Sequence, residues 1–242
     1  MIFKAFDGTQ ALDSVTLSFP PSGITAIIGP NGAGKTTLLN CLTGFLRPDS
    51  GHHYIGETET TNMAPHRIAR LGVARTFQDL RLISFVSVID NVLTARPNQK
   101  GEGFLPALIR YGVEKEEVEN RERSMQLLQF VGLKEKAEDI AGALSYGQQK
   151  LLTLAVCLAT EARILLLDEP VAGVARQMID QILDRLQVLR EQGKAIVFIE
   201  HDIEAVRQVA DHIIVMDDGK VIVEGGPREV LERPEIMEAY LG

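Results

Sequence analysis

Eight residues, Gly29, Pro30, Asn31, Gly32, Ala33, Gly34, Lys35 and Thr36, follow the spacing G-x-x-x-x-G-K-[ST]. Such a loop dictates its own surroundings. A buried strand must deliver the chain to it and a helix must open at its end, so that loop and first-turn N–H groups converge on an anion. Both neighbours are present: Ile24–Ile28 (ITAII) is apolar, and Thr36–Gly44 (TTLLNCLTG) has helical periodicity, with Gly44 as a stop and Pro48 beyond it. By accident the pattern occurs in about one chain of this length in a hundred, and this context lowers that further. The glycines let the backbone approach phosphate oxygens. Lys35 adds a point charge for β- and γ-phosphates, the Thr36 hydroxyl is an expected Mg²⁺ ligand, and Thr37 continues the phosphate-binding turn.

A second segment supplies what such a loop lacks. Ile164-Leu-Leu-Leu-Asp168-Glu169-Pro170 reads as a buried strand that brings two carboxylates to its C-terminal end, where open α/β sheets place their ligands. Asp168 is expected to hold Mg²⁺, directly or through water. Glu169 is placed to polarise the water that attacks a γ-phosphate. A carboxylate pair after a strand is commonly a helix N-cap, so this reading depends on the loop upstream.

The remaining pattern is that of a parallel sheet covered on both faces. Gln148–Ala162 reads as a helix with Leu151, Leu154, Ala155 and Leu158 on one face, MIDQILDRLQVLREQG as an amphipathic helix, and AIVFIEHD as a buried strand. The stretch 11–28 suggests a hairpin turned at PPSG, and HIIVMDDGKVIVEGG one turned at Asp218-Gly219, with short helices starting near Pro227 and Pro234. Between about 97 and 140 a breaker cluster and a charged, then amphipathic, helix suggest a helical lobe. Cys41 and Cys157 sit in apolar runs with no ligand spacing around them, which predicts buried, reduced thiols. The net charge of −8 argues against a broad grip on nucleic acid. MIFKAFDGTQ does not read as a secretory segment, and no apolar run approaches the roughly 20 residues that span a bilayer.

Leu144-Ser145-Tyr146-Gly147-Gln148-Gln149, opening a helix upstream of Asp168, resembles the LSGGQ signature of ATP-binding cassette (ABC) ATPases. The resemblance extends over nearly the whole chain. Gln78 in TFQD matches the family's Q-loop and His201 in IEHD its switch histidine. The resemblance implies a P-loop NTPase (RecA-like) α/β core with an N-terminal antiparallel β-subdomain and an inserted α-helical subdomain. One nucleotide-binding domain is expected over 1–242, with the core at 1–90 and 160–242 and the helical part at 91–159. It further implies ATP and Mg²⁺ as ligands. Lys35, Gln78, Glu169 and His201 would serve hydrolysis, and Thr36, Gln78 and Asp168 would surround the metal. Phe6 would stack on adenine, with Phe3 and Phe19 as core-forming alternatives nearby. Ser145, Gly147 and Gln148 would clamp nucleotide bound to a second cassette, identical or paralogous, in a head-to-tail dimer. Two features depart from the family pattern. The N-terminal sheet starts late, and Ala175 stands in the D-loop where Asp or Asn is common, so coupling between the two sites of a dimer is expected to be weaker.

The signature LSYGQQ, the stretch GVARTFQDLRLISFVSVIDNVL, roughly 25 extra residues at 97–121 and the ending Glu238-Ala-Tyr-Leu241 resemble the larger ATPase subunit of branched-chain (hydrophobic) amino-acid importers. Urea-type importer ATPases share these features, and a soluble ABC ATPase of repair or translation and a nucleotide sensor without turnover are further alternatives. An importer reading implies separate permease subunits, an extracytoplasmic solute-binding protein acting indirectly, no nucleic acid, and a cytoplasmic location at the membrane's inner face.

Overall fold

A computed structural model describes residues 1–97, 99, 113–234 and 236. Much of the 97–121 segment, the ending Glu238–Leu241 and most of any helix near Pro234 lie outside the described residues. Among the described residues no helix is long and apolar enough to cross a membrane.

Six strands form the main sheet. They are β3 (Gly23–Ile28), β6 (Val73–Arg75), β7 (Ile164–Asp168), β8 (Ala195–Ile199), β9 (His212–Asp217) and β10 (Lys220–Gly225), in the order β10-β9-β3-β8-β7-β6. All neighbours are parallel except β10, which returns antiparallel on β9 through the Asp218-Gly219 turn. That turn needs left-handed backbone, and Asp218 (φ 44°) and Gly219 (φ 75°) adopt it. Successive residues of the inner strands are buried: Ala26, Ile27, Ile28, Leu165, Leu167, Ile196 and Phe198 are all at most 1% exposed. Burial at consecutive positions requires cover on both faces, as the unbroken apolar runs predict.

The hairpin expected at PPSG is not formed. β1 (Ile2–Phe6) pairs instead with β2 (Thr9–Val15) around Asp7-Gly8, whose φ angles of 46° and 85° suit a tight turn, while β3 lies between β8 and β9. The physical reason is burial. A hairpin strand with one wet face alternates, whereas Ile24–Ile28 is buried at every position and is better placed in the centre of a parallel sheet. A further short hairpin joins β4 (Tyr54–Ile55) to β5 (Thr58–Glu59).

Among the described residues the α-helices are α1 (Lys35–Leu42), α2 (Pro65–Arg70), α3 (Val88–Thr94), α4 (Val113–Phe130), α5 (Tyr146–Ala159), α6 (Arg176–Glu191), α7 (Ile203–Val209) and α8 (Pro227–Leu231). The chain divides into two compact units. The first comprises Met1–Arg75, Arg163–Ala172 and Leu186–Gly242 and carries the sheet; the second comprises Thr76–Ala162 and Gly173–Arg185 and is helical. In the first, Leu38, Leu39 and Cys41 of α1 pack with Ile27, Val197, Ile214 and Met216 of the sheet. In the second, Leu151, Leu154, Ala155 and Leu158 of α5 are buried as their spacing predicts.

Both cysteines are buried and neither is in a disulfide. Burial pushes the Cys41 thiol up to about 11, so at pH 8 only about one molecule in a thousand carries the reactive thiolate there. Neither thiol is expected to react with a disulfide reagent in the folded chain, and both should titrate in guanidinium. A native thiol reacting within minutes would show that the core around it opens.

Candidate functional site

The phosphate loop runs from the end of β3 into α1. Gly34 stands at the N-cap of α1 in the left-handed region (φ 92°), and no side chain caps the helix. The first-turn N–H groups are thus left for an incoming anion. Ala33 N–H donates to Pro30 O at 3.2 Å, which closes the loop, and Gly219 N–H donates to Ala33 O at 3.3 Å. Pro30, Asn31, Gly32 and Thr36 are exposed, Thr37 is half-buried and Ala33 is buried.

Two of the glycines serve a purpose beyond approach to phosphate. A Cβ on Gly34 would lie 2.3 Å from Ala11 O, and one on Gly29 would lie 2.1 Å from Met216 O. Backbone of β2 and β9 therefore presses against the loop from behind. Gly32 (φ 86°) has open space around it and is the glycine required by conformation alone.

Lys35 folds over the loop. Its Nζ donates to Gly29 O at 2.8 Å and Pro30 O at 2.9 Å, and the residue is 6% exposed. Burial lowers its pKa, while the charges of Glu169 and Asp168 act in the opposite sense. The ammonium is thus held by two carbonyls within electrostatic reach of two carboxylates. Lys35→Ala removes a charge-assisted contact of about 1.5–3 kcal/mol. Calorimetric titration with a non-hydrolysable ATP analogue should give an affinity at least about tenfold lower, and unchanged affinity would remove Lys35 from the phosphate site.

Asp168 ends β7, is 3% exposed, and accepts from Arg75 Nη2 at 3.2 Å. Arg75 also donates from Nη1 to Asn40 Oδ1 (2.7 Å) and Thr43 Oγ1 (3.1 Å), so one buried guanidinium ties β7 to α1. No sequence pattern pointed to Arg75. The Thr36 hydroxyl and Asp168 carboxylate are hard oxygen donors suited to Mg²⁺. Among the described residues no group of three or more His, Cys, Asp or Glu is arranged to hold a metal.

Glu169 follows in the left-handed region (φ 51°). Its N–H donates to Ile199 O at 3.0 Å, and its Oε1 accepts from His201 Nε2 at 3.0 Å. A second residue absent from the sequence reading is Glu200. It is 2% exposed, and its carboxylate accepts from Val171 N–H at 2.8 Å, from His201 N–H at 3.1 Å, and from the N–H of Asp202. Burial raises its pKa, those backbone bonds work against the rise, and the charge of Glu169 adds to it. The first unit therefore brings together Lys35, Asp168, Glu169 and His201. Phe6 is 46% exposed at the end of β1, with Lys4 Nζ 5.4 Å above its ring; Phe3 and Phe19 are half-buried.

The second unit holds the other sequence-selected residues. Gln78 is exposed, in a segment where the Arg81 guanidinium lies 3.4 Å from the Phe77 ring centre. Ser145 and Gln148 form a capping box on α5: Ser145 Oγ accepts from Gln148 N–H at 3.4 Å and Gln148 Oε1 accepts from Ser145 N–H at 3.1 Å. The Ser145 hydroxyl accepts in that bond, so its own hydrogen remains available as a donor. Gly147 is buried, and a Cβ there would lie 2.7 Å from Met178 Cγ. Glycine at this point lets α5 and α6 meet. Ala175 is exposed before α6 and contributes only its carbonyl, which accepts from Met178 N–H at 2.8 Å.

Comparison with known proteins extends these observations. Residues 12–172 match the ABC transporter family model. The chain is 38% identical to a high-affinity branched-chain amino acid transport ATP-binding protein of Pseudomonas aeruginosa, covering 98% of this chain and 94% of the relative. It is 36% identical to the corresponding protein of Escherichia coli K12, over 100% and 95%. Among solved structures, a nucleotide-free ATP-binding cassette from an ABC transporter superposes with a TM-score of 0.86 at 35% identity, covering 100% of this chain and 96% of the other. A dimeric cassette in a post-hydrolysis state, bound to ADP and Pi, superposes with a TM-score of 0.78 at 27% identity, over 94% and 97%.

Proposed function

Because the chain belongs to the ABC transporter family of ATP-binding cassettes, we propose that it energises import of branched-chain or other hydrophobic amino acids through separate permease subunits. The observation that carries the hydrolytic part is the pairing of Glu169 with His201 at 3.0 Å in the unit that also holds the phosphate loop. Relatives at 36–38% identity over nearly the full chain support the solute class.

In this reading the loop N–H groups and Lys35 hold the β- and γ-phosphates, and Phe6 stacks on adenine. Thr36 and Asp168 would hold Mg²⁺, and the ion would neutralise charge on the transferring phosphoryl group; Gln78 would take the role that the family resemblance gives its Q-loop glutamine. The Glu169 carboxylate takes the proton of the attacking water. His201 orients that carboxylate and donates toward the γ-phosphate. Ser145, Gly147 and Gln148 present a helix N-terminus to nucleotide held by a second cassette, identical or paralogous, in a head-to-tail sandwich. Formation and release of the sandwich drive alternating access in permeases at the membrane, and the chain docks on their cytoplasmic side.

The test is reconstitution in lipid vesicles with permeases, a second cassette and a solute-binding protein of the branched-chain amino-acid class. Binding protein loaded with leucine, isoleucine or valine should stimulate phosphate release, and empty binding protein should not. Stimulation by urea alone would replace the solute class. Full activity without permeases, insensitive to any solute, would remove the transport role.

A further inference from the structure

We infer that Glu200 is a positioning residue for ATP hydrolysis, whose buried carboxylate clamps the strained turn at Glu169 and the backbone of His201 into one register. The inference rests on the reading of Glu169 as general base. Its observations are separate from that reading.

Glu169 is a non-glycine residue with φ 51°. Such a conformation is strained and persists only where the surroundings over-determine it. Two ties across to the β8 side flank it here. One is its own N–H on Ile199 O, a main-chain bond that any sequence would make; the other is Val171 N–H, two residues on, held by Glu200 Oε1 at 2.8 Å. The same carboxylate holds His201 N–H through Oε2 at 3.1 Å. A single side chain, 2% exposed, thus binds the backbone on the far side of Glu169 and the backbone of the residue whose Nε2 meets Glu169 Oε1. Both carboxylate oxygens must accept. A glutamine of the same shape offers one acceptor, and its NH₂ would face a backbone N–H, so one of the two ties must break. The turn at Glu169 is then free to relax, and a displacement of about 1 Å at a reacting group costs up to about a hundredfold in rate.

The experiment is a double-mutant cycle on the full chain, read by single-turnover hydrolysis of bound MgATP and by nucleotide affinity. Glu200→Gln should hydrolyse about 10- to 100-fold more slowly while affinity stays within about threefold. In a Glu169→Gln background, Glu200→Gln should add little, because a residue that acts through Glu169 has nothing left to position. Glu200→Asp, read in the same cycle, keeps the charge and shortens the reach, and should also lose rate only where Glu169 is intact; it serves if Glu200→Gln does not fold. Hydrolysis within twofold of the parent for a folded Glu200 variant overturns the inference, as does a loss that multiplies undiminished onto Glu169→Gln. Failure of the underlying reading looks different, since Glu169→Gln alone would then leave hydrolysis intact.

Discussion

Glu169→Gln should retain nucleotide affinity while turnover falls by about 10²–10⁴, the contribution of a positioned general base, or roughly 3–5 kcal/mol of barrier. Its place supports an effect of that size. Glu169 lies next to the buried Asp168, its charge is felt by Lys35, and its carboxylate is held by His201 at 3.0 Å. In the proposed mechanism the amide keeps the shape of Glu169 and loses the base. Lys35 and the loop are untouched, so affinity for MgATP should change little. A kcat at saturating MgATP within about tenfold of the parent would place the base elsewhere.

The largest effect on stability is expected at Arg75. The Arg75 and Asp168 side chains are 4% and 3% exposed, so Arg75→Met takes the guanidinium away from a carboxylate that stays in the interior. Breaking one side of a buried ion pair costs about 3–5 kcal/mol, whereas replacing both partners by apolar groups is often neutral. Urea denaturation of the nucleotide-free chain should show a loss of that order for Arg75→Met. Arg75→Met with Asp168→Leu should recover most of it, although Asn40 and Thr43 lose a donor in both variants. Equal losses in the single and double variants would mean that the Asn40 and Thr43 bonds, and not the charge pair, set the cost.

Local signals made much of this legible. The phosphate loop, the LLLD strand, the faces of α5 and α6 and the Asp218-Gly219 hairpin each declare themselves within about a dozen residues, and each forms as its pattern predicts. What escaped depends on distance along the chain. The Asp7-Gly8 turn was a valid hairpin signal next to an alternating stretch, yet PPSG competed with it; the burial of every residue from Ile24 to Ile28 decides against PPSG, and that burial comes from β8 and β9, far downstream. Arg75 lies 93 positions from Asp168, and nothing local marks a strand-end arginine as the partner of a buried carboxylate. Glu200 sits between an apolar strand and His201 and looks like ordinary polar punctuation until Val171 N–H is found against it. The glycines were legible as glycines, for an incomplete reason. Gly29 and Gly34 answer to carbonyls of Met216 and Ala11, and Gly147 to Met178, contacts that the phosphate-loop and signature patterns leave out.

Strands β6 and β7 are immediate neighbours, yet the chain leaves the first at Arg75 and regains the second only at Ile164. The return is fastened at Gly72 O, which accepts from both Arg163 N–H (2.9 Å) and Ile164 N–H (3.0 Å). In chain-entropy terms the sheet closes a very long loop, and the penalty for closure grows only as the logarithm of loop length. Roughly 25 of the residues in an excursion this long account for only about 0.3 kcal/mol of that penalty. Length added to this excursion is therefore nearly neutral for closing β6 onto β7.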